Sequence, residues 1–299
     1  MNGKKLHFVR LCRAILAVFV GTLSIISCAA REIPPPPKPA KVALVLGAGA
    51  SRGFAHIGVL KVLESNRIPV HMIVGTSAGS FVGCVYAFGY SAYQLQRMAI
   101  ALDKSDIVDL AIPDNGFIKG EKLENYVNQM VSNTPLERLR IPFYAVATDI
   151  QRGEEVLFGT GNTGTAVRAS CSIPGVFRPV KISGVTYVDG GVVSPIAVEA
   201  ARKYGADVVI AVDISADIGN SVPQTTIETV LQSIDIMHSK ISSAQLLKAD
   251  VVIAPRVGHI GSANFSKRHE AILEGERAAN EALPRIQSIL NSFRSQGRL

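Results

Sequence analysis

The 299-residue sequence is poor in cysteine and in charged side chains, and both shortages limit what the protein can be. It has four cysteines, none in a CxxC pair or in the Cys/His spacing of a metal site, so the sequence predicts no metal. Cys84 and Cys171 are expected to be small buried core residues. Only 18% of the residues are charged and 47% are hydrophobic, which excludes global disorder and allows a sizeable core.

The first 27 residues contain no acidic side chain, and the apolar stretch Ala14–Ile26 follows their basic part. This pattern is typical of a secretory signal peptide. The residues Ile25-Ile26-Ser27-Cys28 resemble a bacterial lipobox, although its first two positions more often hold leucine and a small residue. We therefore expect residues 1–27 to be a signal peptide and Cys28 to be lipidated, which would make the protein a membrane-anchored lipoprotein of a bacterial cell envelope. The alternative is an uncleaved anchor helix, although a spanning helix needs about 20 apolar residues.

Residues 28–41 would connect this anchor to a folded domain of residues 42–299. They contain the run Pro34-Pro35-Pro36-Pro37, and proline runs favour an extended, stiff conformation, so the segment is predicted to be a spacer.

Removal of the four basic residues of the signal peptide lowers the formal net charge from +7 to +3. A charge of that size gives no reason to expect a nucleic-acid partner.

From residue 42 onward, short apolar runs alternate with helical patterns, and no internal repeat divides the chain. This alternation predicts one α/β domain with a mostly parallel sheet. The predicted strands are Val42–Leu46, Met72–Val74, Phe143–Ala147, Val185–Val188, Val208–Val212 and Val251–Ile253. The predicted helices are Phe54–Asn66, Ala78–Phe88, Ala92–Leu102, Lys122–Val131, Ile196–Tyr204, Thr225–Leu247 and Ser266–Leu290. The apolar positions of the sixth helix suit either a lid or a packing role.

A glycine-rich loop, Gly47-Ala48-Gly49-Ala50-Ser51-Arg52-Gly53, stands between the first predicted strand and the first predicted helix. Glycines let the backbone approach a ligand closely, and a helix start presents unpaired N–H groups to negative charge. A dinucleotide fold uses this arrangement for a pyrophosphate, whereas a hydrolase uses it as an oxyanion hole. The dinucleotide interpretation requires an acidic residue about 20 positions further on. Val70–Gly75 contains none, which favours the oxyanion hole.

The segment Gly75-Thr76-Ser77-Ala78-Gly79 matches the G-x-S-x-G pattern of a nucleophile elbow, a sharp turn that exposes a serine hydroxyl. A predicted strand precedes the segment and a predicted helix follows it, as this turn requires. The glycines at Gly75 and Gly79 leave the room that the tight turn needs, and the helix start stabilises negative charge on Ser77. Ser77 is therefore the candidate nucleophile, and an ordinary helix-capping serine is the alternative.

A serine hydroxyl needs a positioned base, and the residues alone leave two candidates. His259 lies in a loop after the elbow and would suit a Ser–acid–His order, whereas His238 and His269 are expected to face solvent. Asp189, in Tyr187-Val188-Asp189-Gly190-Gly191, ends a predicted strand at the edge where α/β active sites collect. A carboxylate tuned by its surroundings can serve as a base.

The glycine loop, the elbow and Asp189-Gly190 occur in the order that is found in patatin-like phospholipases, and the chain resembles that family. Three further stretches resemble its bacterial branch: Ser51–Leu60, Ala147-Thr148-Asp149 and Arg168–Phe177. The resemblance implies that Asp149 and the Arg168–Phe177 segment shape the pocket, although Asp149 and Arg168 could equally form a structural ion pair.

The resemblance further implies a three-layer α/β/α fold and a Ser–Asp dyad without histidine. Ser77 would attack an ester carbonyl, and Asp189 would take its proton. The implied oxyanion-hole residues are Gly47, Ala48, Gly49, Ala50 and Arg52, the last of which would orient the loop or meet a phosphate. The expected substrates are phospholipids, lysophospholipids or other fatty-acyl esters, and no cofactor is required. An acyltransferase that uses the same dyad is the alternative.

Overall fold

The computed structural model describes residues 3–25, 37–110, 115–217 and 222–299, and it falls into two units, Met1–Lys38 and Pro39–Leu299. The first unit contains helix α1 (Gly3–Ile25). Among the residues that are described, no helix is both long and apolar enough to cross a membrane. Cys28 and the prolines up to residue 36 lie outside the described ranges, so the signal peptide, the lipidation and the spacer stay predictions.

The second unit is built on a central sheet. Its strands are β1 (Val42–Leu46), β2 (Met72–Thr76), β3 (Phe143–Asp149), β4 (Glu154–Phe158), β5 (Val180–Ile182), β6 (Val185–Asp189), β7 (Val208–Val212) and β8 (Val251–Ile253). Within the described residues the order is β5-β6-β3-β2-β1-β7-β8, with β4 paired to β3. The five strands from β3 to β8 in this order are parallel, whereas β4, β5 and β6 pair antiparallel.

Helices cover both faces of this sheet. They are α2 (Phe54–Ser65), α3 (Ala78–Phe88), α4 (Ala92–Ala101), α5 (Lys104–Ile107), α6 (Glu121–Met130), α7 (Thr163–Ser170), α8 (Val198–Lys203), α9 (Thr226–Leu246) and α10 (Arg268–Ser295). Strand β1 is fully buried, and its side chains alternate between two cores. Val42, Leu44 and Leu46 pack in the core shared with α2, α3 and α10, whereas Ala43 and Val45 pack in the core shared with α8. This period of two produces the three layers.

The predicted α/β class with a mostly parallel sheet is confirmed, and most predicted elements agree with the structure to within a few residues. Two strands, β4 and β5, and two helices, α5 and α7, were not predicted. Strand β4 is half-exposed and β5 has only three residues, so neither produces a clear alternation of apolar and polar side chains. Helix α7 is short and contains Gly164, and its start is instead stabilised by the side chain of Asn162, which accepts a hydrogen bond from Thr165 N.

Candidate active site

Ser77 lies on the sharp turn between β2 and α3, with φ 52° and ψ −120°. Such a backbone conformation is strained for a residue that has a side chain, and it is found where the surrounding structure enforces it. The flanking glycines are required by the space available. A Cβ on Gly75 would lie 2.6 Å from the carbonyl oxygen of Gly79, and a Cβ on Gly79 would overlap the carbonyl oxygen of Leu46. The G-x-S-x-G pattern is therefore a steric requirement of this turn.

Asp189 reaches Ser77 because β6 pairs with β3, which is the neighbour of β2. The Ser77 hydroxyl donates a hydrogen bond of 2.6 Å to Oδ2 of Asp189, and the Gly191 amide donates one of 2.7 Å to Oδ1. The Asp189 residue is only 2% exposed. Burial raises the pKa of Asp189 to about 7, although the hydrogen bonds from Ser77 and Gly191 act to lower it. A base with a pKa near neutral is suited to proton transfer at physiological pH.

The glycine loop offers two amides to a ligand. The Gly47 amide donates to Val212 O at 3.1 Å, and the Ala48 amide donates to Pro195 O at 2.9 Å, so both are held by the fold. The amides of Gly49 and Ala50 donate to no group in the described part of the chain. Among the residues predicted to form the oxyanion hole, Gly49 and Ala50 are therefore the ones whose amides remain available to a ligand.

A further amide, that of Ala78, was missed in the sequence analysis. Ala78 is the first residue of α3, and its amide also lacks an acceptor among the described residues. The G-x-S-x-G pattern could have identified Ala78, because in elbow turns of this kind the residue after the nucleophile commonly donates its amide to the oxyanion.

Arg52 is buried, and each of its three guanidinium nitrogens donates a hydrogen bond to another part of the chain. Nε donates to Ile214 O at 3.0 Å, Nη1 to Ile260 O at 3.2 Å, and Nη2 to Asp235 of α9 at 2.8 Å. Its amide donates to Gly49 O at 3.0 Å. These contacts fit the loop-orienting role that was expected for Arg52, because they tie the glycine loop to Ile214, Ile260 and α9.

The histidines divide into surface and interior groups. His259 pairs with Glu270 at the surface, so the structure does not bring this alternative base to Ser77. His56 lies within 2.9 Å of Gly47 O, and because burial lowers the pKa of His56 to about 4, its neutral ring supports the glycine loop as a donor. The expectation that His238 faces solvent is wrong. Its ring packs against Gly191, where an added Cβ would overlap Nε2, because His238 and Asp235 lie on the side of α9 that faces the site.

Ser77 borders two compartments. The larger has a volume of about 370 Å³ and an almost wholly apolar lining. Its walls include Phe81, Leu95, Met98, Leu123, Tyr126 and Phe177. The smaller has a volume of about 30 Å³ and lies between the turn that carries Ser77 and helix α9. Its polar boundary is formed by Gly49, Ala50, Ser77, Asp189, Asp235 and His238.

Of the two alternatives for Asp149 and Arg168, the structural ion pair between them is wrong. Arg168 instead binds Glu124 at 3.0 Å and the Lys119 carbonyl at 2.7 Å, while Asp149 accepts from amides of its own turn. The two residues are held by different neighbours because Arg168 lies on the newly observed helix α7, which packs on α6.

Cys84 and Cys171 are free thiols, and Cys171 lines the larger compartment. Among the described residues, no group of three or more His, Cys, Asp or Glu side chains is placed to hold a metal ion.

The sequence is similar to those of several known proteins. An uncharacterized NTE family protein of Mycobacterium tuberculosis is 36% identical over 178 residues, which are 58% of this chain and 49% of that protein. Lysophospholipase NTE1 of Coccidioides immitis is 35% identical over 191 residues, 61% of this chain and 12% of the fungal protein. The human patatin-like phospholipase domain-containing protein 6 is 34% identical over 183 residues, 58% of this chain and 13% of the human protein. The chain thus spans about half the length of its mycobacterial relative and much less of the other two.

The solved structure of VipD from Legionella pneumophila has the same fold, with a TM-score of 0.58 and 12% sequence identity over 85% of this chain and 68% of VipD. The family model of the patatin-like phospholipases matches residues 44–202, which are more than half of the sequence. This range includes the glycine loop, the elbow and Asp189. The chain therefore belongs to the patatin-like phospholipase family.

Proposed function

We propose that this protein is a lipid acyl hydrolase that cleaves fatty-acyl esters of phospholipids or lysophospholipids through a Ser77–Asp189 dyad. The proposal rests on one observation, the 2.6 Å hydrogen bond between Ser77 Oγ and a buried carboxylate at the edge of an apolar cavity. Membership of the patatin-like family supports it, as does the similarity to a fungal protein that is named a lysophospholipase.

In the first half-reaction, Ser77 Oγ attacks the ester carbonyl while Oδ2 of Asp189 accepts the hydroxyl proton. The carbonyl oxygen becomes negative and is stabilised by the Gly49 and Ala50 amides, which are already oriented and need no reorganisation. The intermediate then collapses, and the leaving alcohol takes the proton back from Asp189. The product of this step is an acyl ester on Ser77.

The acyl chain would occupy the larger compartment. Its volume of about 370 Å³ and its apolar lining suit a hydrocarbon chain rather than a polar substrate. Each methylene group that leaves water for such a site contributes about 0.8 kcal/mol. The cavity therefore explains why the substrate should be a fatty-acyl ester.

In the second half-reaction water attacks the acyl ester, Asp189 again accepts a proton, and the fatty acid is released without a cofactor.

The function is tested by incubating the protein with lysophosphatidylcholine and diacyl phosphatidylcholine in mixed micelles and measuring the fatty acid released. We expect release by the wild-type protein and a loss of at least about 10³-fold in Ser77→Ala, because the variant has no nucleophile. Circular dichroism should show that the variant stays folded. Equal fatty-acid release by wild type and Ser77→Ala would contradict the proposal.

We further propose that residues 1–27 are a signal peptide, that Cys28 carries the lipid, and that residues 28–41 are a spacer in front of the catalytic domain. This follows from the sequence pattern alone. Metabolic labelling with a radioactive fatty acid in a bacterial host should label the wild-type protein and leave Cys28→Ser unlabelled. Cys12→Ser is the matched control and should be labelled normally. A labelled Cys28→Ser protein would overturn this assignment.

A further inference from the structure

The smaller compartment has the size of a water site. Its volume of about 30 Å³ holds about one or two water molecules, and it touches Ser77, Asp189 and the two available amides of the glycine loop. Leu231 and Ile234 of α9 form part of its wall. A glycerol-based leaving group does not fit within such a volume. The compartment therefore lies where a small nucleophile could approach an acyl group on Ser77.

His238 is the side chain of α9 that lacks a partner in this compartment. Its ring has no hydrogen bond to any described residue, whereas its neighbour Asp235 is already held by Arg52 at 2.8 Å. An added Cβ on Gly191 would overlap Nε2 of His238 and would lie 3.0 Å from Oδ1 of Asp189, so the ring stands next to the dyad. Burial lowers the pKa of His238 to about 4, while the charge of Asp235 opposes this change and that of Arg52 adds to it. The neutral ring has one nitrogen that accepts a hydrogen bond.

We propose that the smaller compartment seats the water that hydrolyses the acyl-enzyme, and that His238 positions this water. The inference rests on the proposed function. The water oxygen forms a bond to the acyl carbon while one of its protons passes to Asp189 Oδ2, and its other hydrogen is donated to the ring of His238. The bond between the acyl carbon and Ser77 Oγ then breaks, and Oγ recovers the proton from Asp189. His238 neither gains nor loses a proton in this cycle.

The position of α9 gives this arrangement a consequence for the choice of nucleophile. The ion pair between Arg52 and Asp235 holds the helix against the glycine loop, and His238 lies one turn further along the same face. The small volume of the compartment admits water more readily than a larger alcohol. His238 would therefore favour hydrolysis over transfer of the acyl group to an alcohol.

The test separates the two half-reactions with p-nitrophenyl butyrate and the full-length protein. His238→Leu keeps most of the side-chain volume but removes both nitrogens, while His238→Gln keeps an acceptor. We expect acylation of His238→Leu, measured as the p-nitrophenol burst, to stay within about threefold of wild type. Deacylation, measured as the decay of the acyl-enzyme by intact-protein mass spectrometry, should slow about tenfold or more. His238→Gln should recover part of that loss, and Met237→Leu, an exposed neighbour, should behave as wild type.

A second measurement uses His238→Ala with methanol as a competing nucleophile. We expect the ratio of methyl ester to free acid to rise severalfold, because the compartment is larger and its water is no longer held. Equal loss of acylation and deacylation in His238→Leu would reveal a merely structural role and overturn the inference, as would wild-type deacylation. If the wild-type protein itself releases no p-nitrophenol in a way that depends on Ser77, the proposed function fails instead. If His238→Ala does not fold, the His238→Leu and His238→Gln pair decides.

Discussion

Asp189→Asn should lose about 10³-fold of the esterase activity and at the same time become more stable than wild type at pH 8. The activity falls because an amide cannot accept the proton of Ser77, and a general base contributes about 10²- to 10⁴-fold. The fold should survive because asparagine can keep both hydrogen bonds. The asparagine side-chain oxygen can accept a hydrogen bond from Gly191 N, and its side-chain nitrogen can donate one to Ser77 Oγ. These two hydrogen bonds replace the two that the carboxylate makes.

The gain in stability depends on pH in a defined direction. Burial raises the pKa of Asp189 from its ordinary value of 3.8 to about 7, so the folded protein holds this proton more tightly than the unfolded chain does. The free energy of unfolding of wild type therefore falls as pH rises from about 4 to about 7, by an amount on the order of 4 kcal/mol. Asparagine has no such ionisation. The difference in Tm between variant and wild type should be small near pH 4 and largest above pH 7.

Asp213→Asn is the matched control for this variant. Asp213 also follows a strand of the sheet, β7, but its carboxylate is bound by Ser215 and borders neither compartment. Its substitution should leave esterase activity unchanged. Near-wild-type turnover by Asp189→Asn would show that another group activates the serine. A stability difference that does not vary between pH 4 and pH 8 would show that Asp189 does not titrate as its burial requires.

Gly49→Ala should lower kcat by about 10²-fold or more, which is the usual effect of losing an oxyanion donor. A Cβ on Gly49 would lie 2.6 Å from the Ile214 side chain and 2.9 Å from the Ile214 carbonyl oxygen, so the loop must move. Movement of the loop displaces the amides of Gly49 and Ala50 from the developing negative charge. Steady-state kinetics on p-nitrophenyl butyrate should show that the loss is in kcat more than in KM, because the apolar compartment that binds the acyl chain is unchanged.

Gly261→Ala provides the comparison for the glycine-loop variant. The Gly261 carbonyl accepts a hydrogen bond from Ser51, yet a Cβ on Gly261 would meet no atom within 4 Å. This substitution next to the same loop should leave kcat unchanged. If Gly49→Ala retained wild-type kcat, the amides of this loop would not form the oxyanion hole.

The parts of this site that the sequence predicts well are those encoded by neighbouring residues. The elbow at Gly75–Gly79 and the glycine loop after β1 are each recognisable within seven residues of sequence. The contacts that require glycine there are longer in range, because a Cβ on Gly49 would meet Ile214 and a Cβ on Gly79 would meet Leu46. The choice of Asp189 over His259 as the base, in contrast, depends on the tertiary structure. Asp189 is 112 residues from Ser77, and only the order of strands in the sheet brings them together. The residues alone left both bases open, and the family resemblance favoured Asp189.

The contribution of α9 could not be predicted, because it depends on contacts between distant parts of the chain. Arg52 and Asp235 are 183 residues apart, and no sequence motif indicates that the two side chains form a pair. A helix with polar residues on two sides does not show which side faces the protein. His238 was therefore expected on the surface, whereas it faces inward together with Asp235 and the apolar Leu231 and Ile234. Inward-facing polar side chains of this kind are typical of functional sites and run against pattern-based prediction.

The most direct test of the central claim is the rate at which a fluorophosphonate labels the protein, measured from pH 5 to pH 9 with mass-spectrometric identification of the labelled peptide. We predict a single label on Ser77, with a rate that rises with pH and levels off above about 7, because Asp189 must be ionised to accept the proton. Labelling of Asp189→Asn should be slower by about 10³-fold. A label on another residue, or equal labelling rates for wild type and Asp189→Asn, would contradict a Ser77–Asp189 dyad.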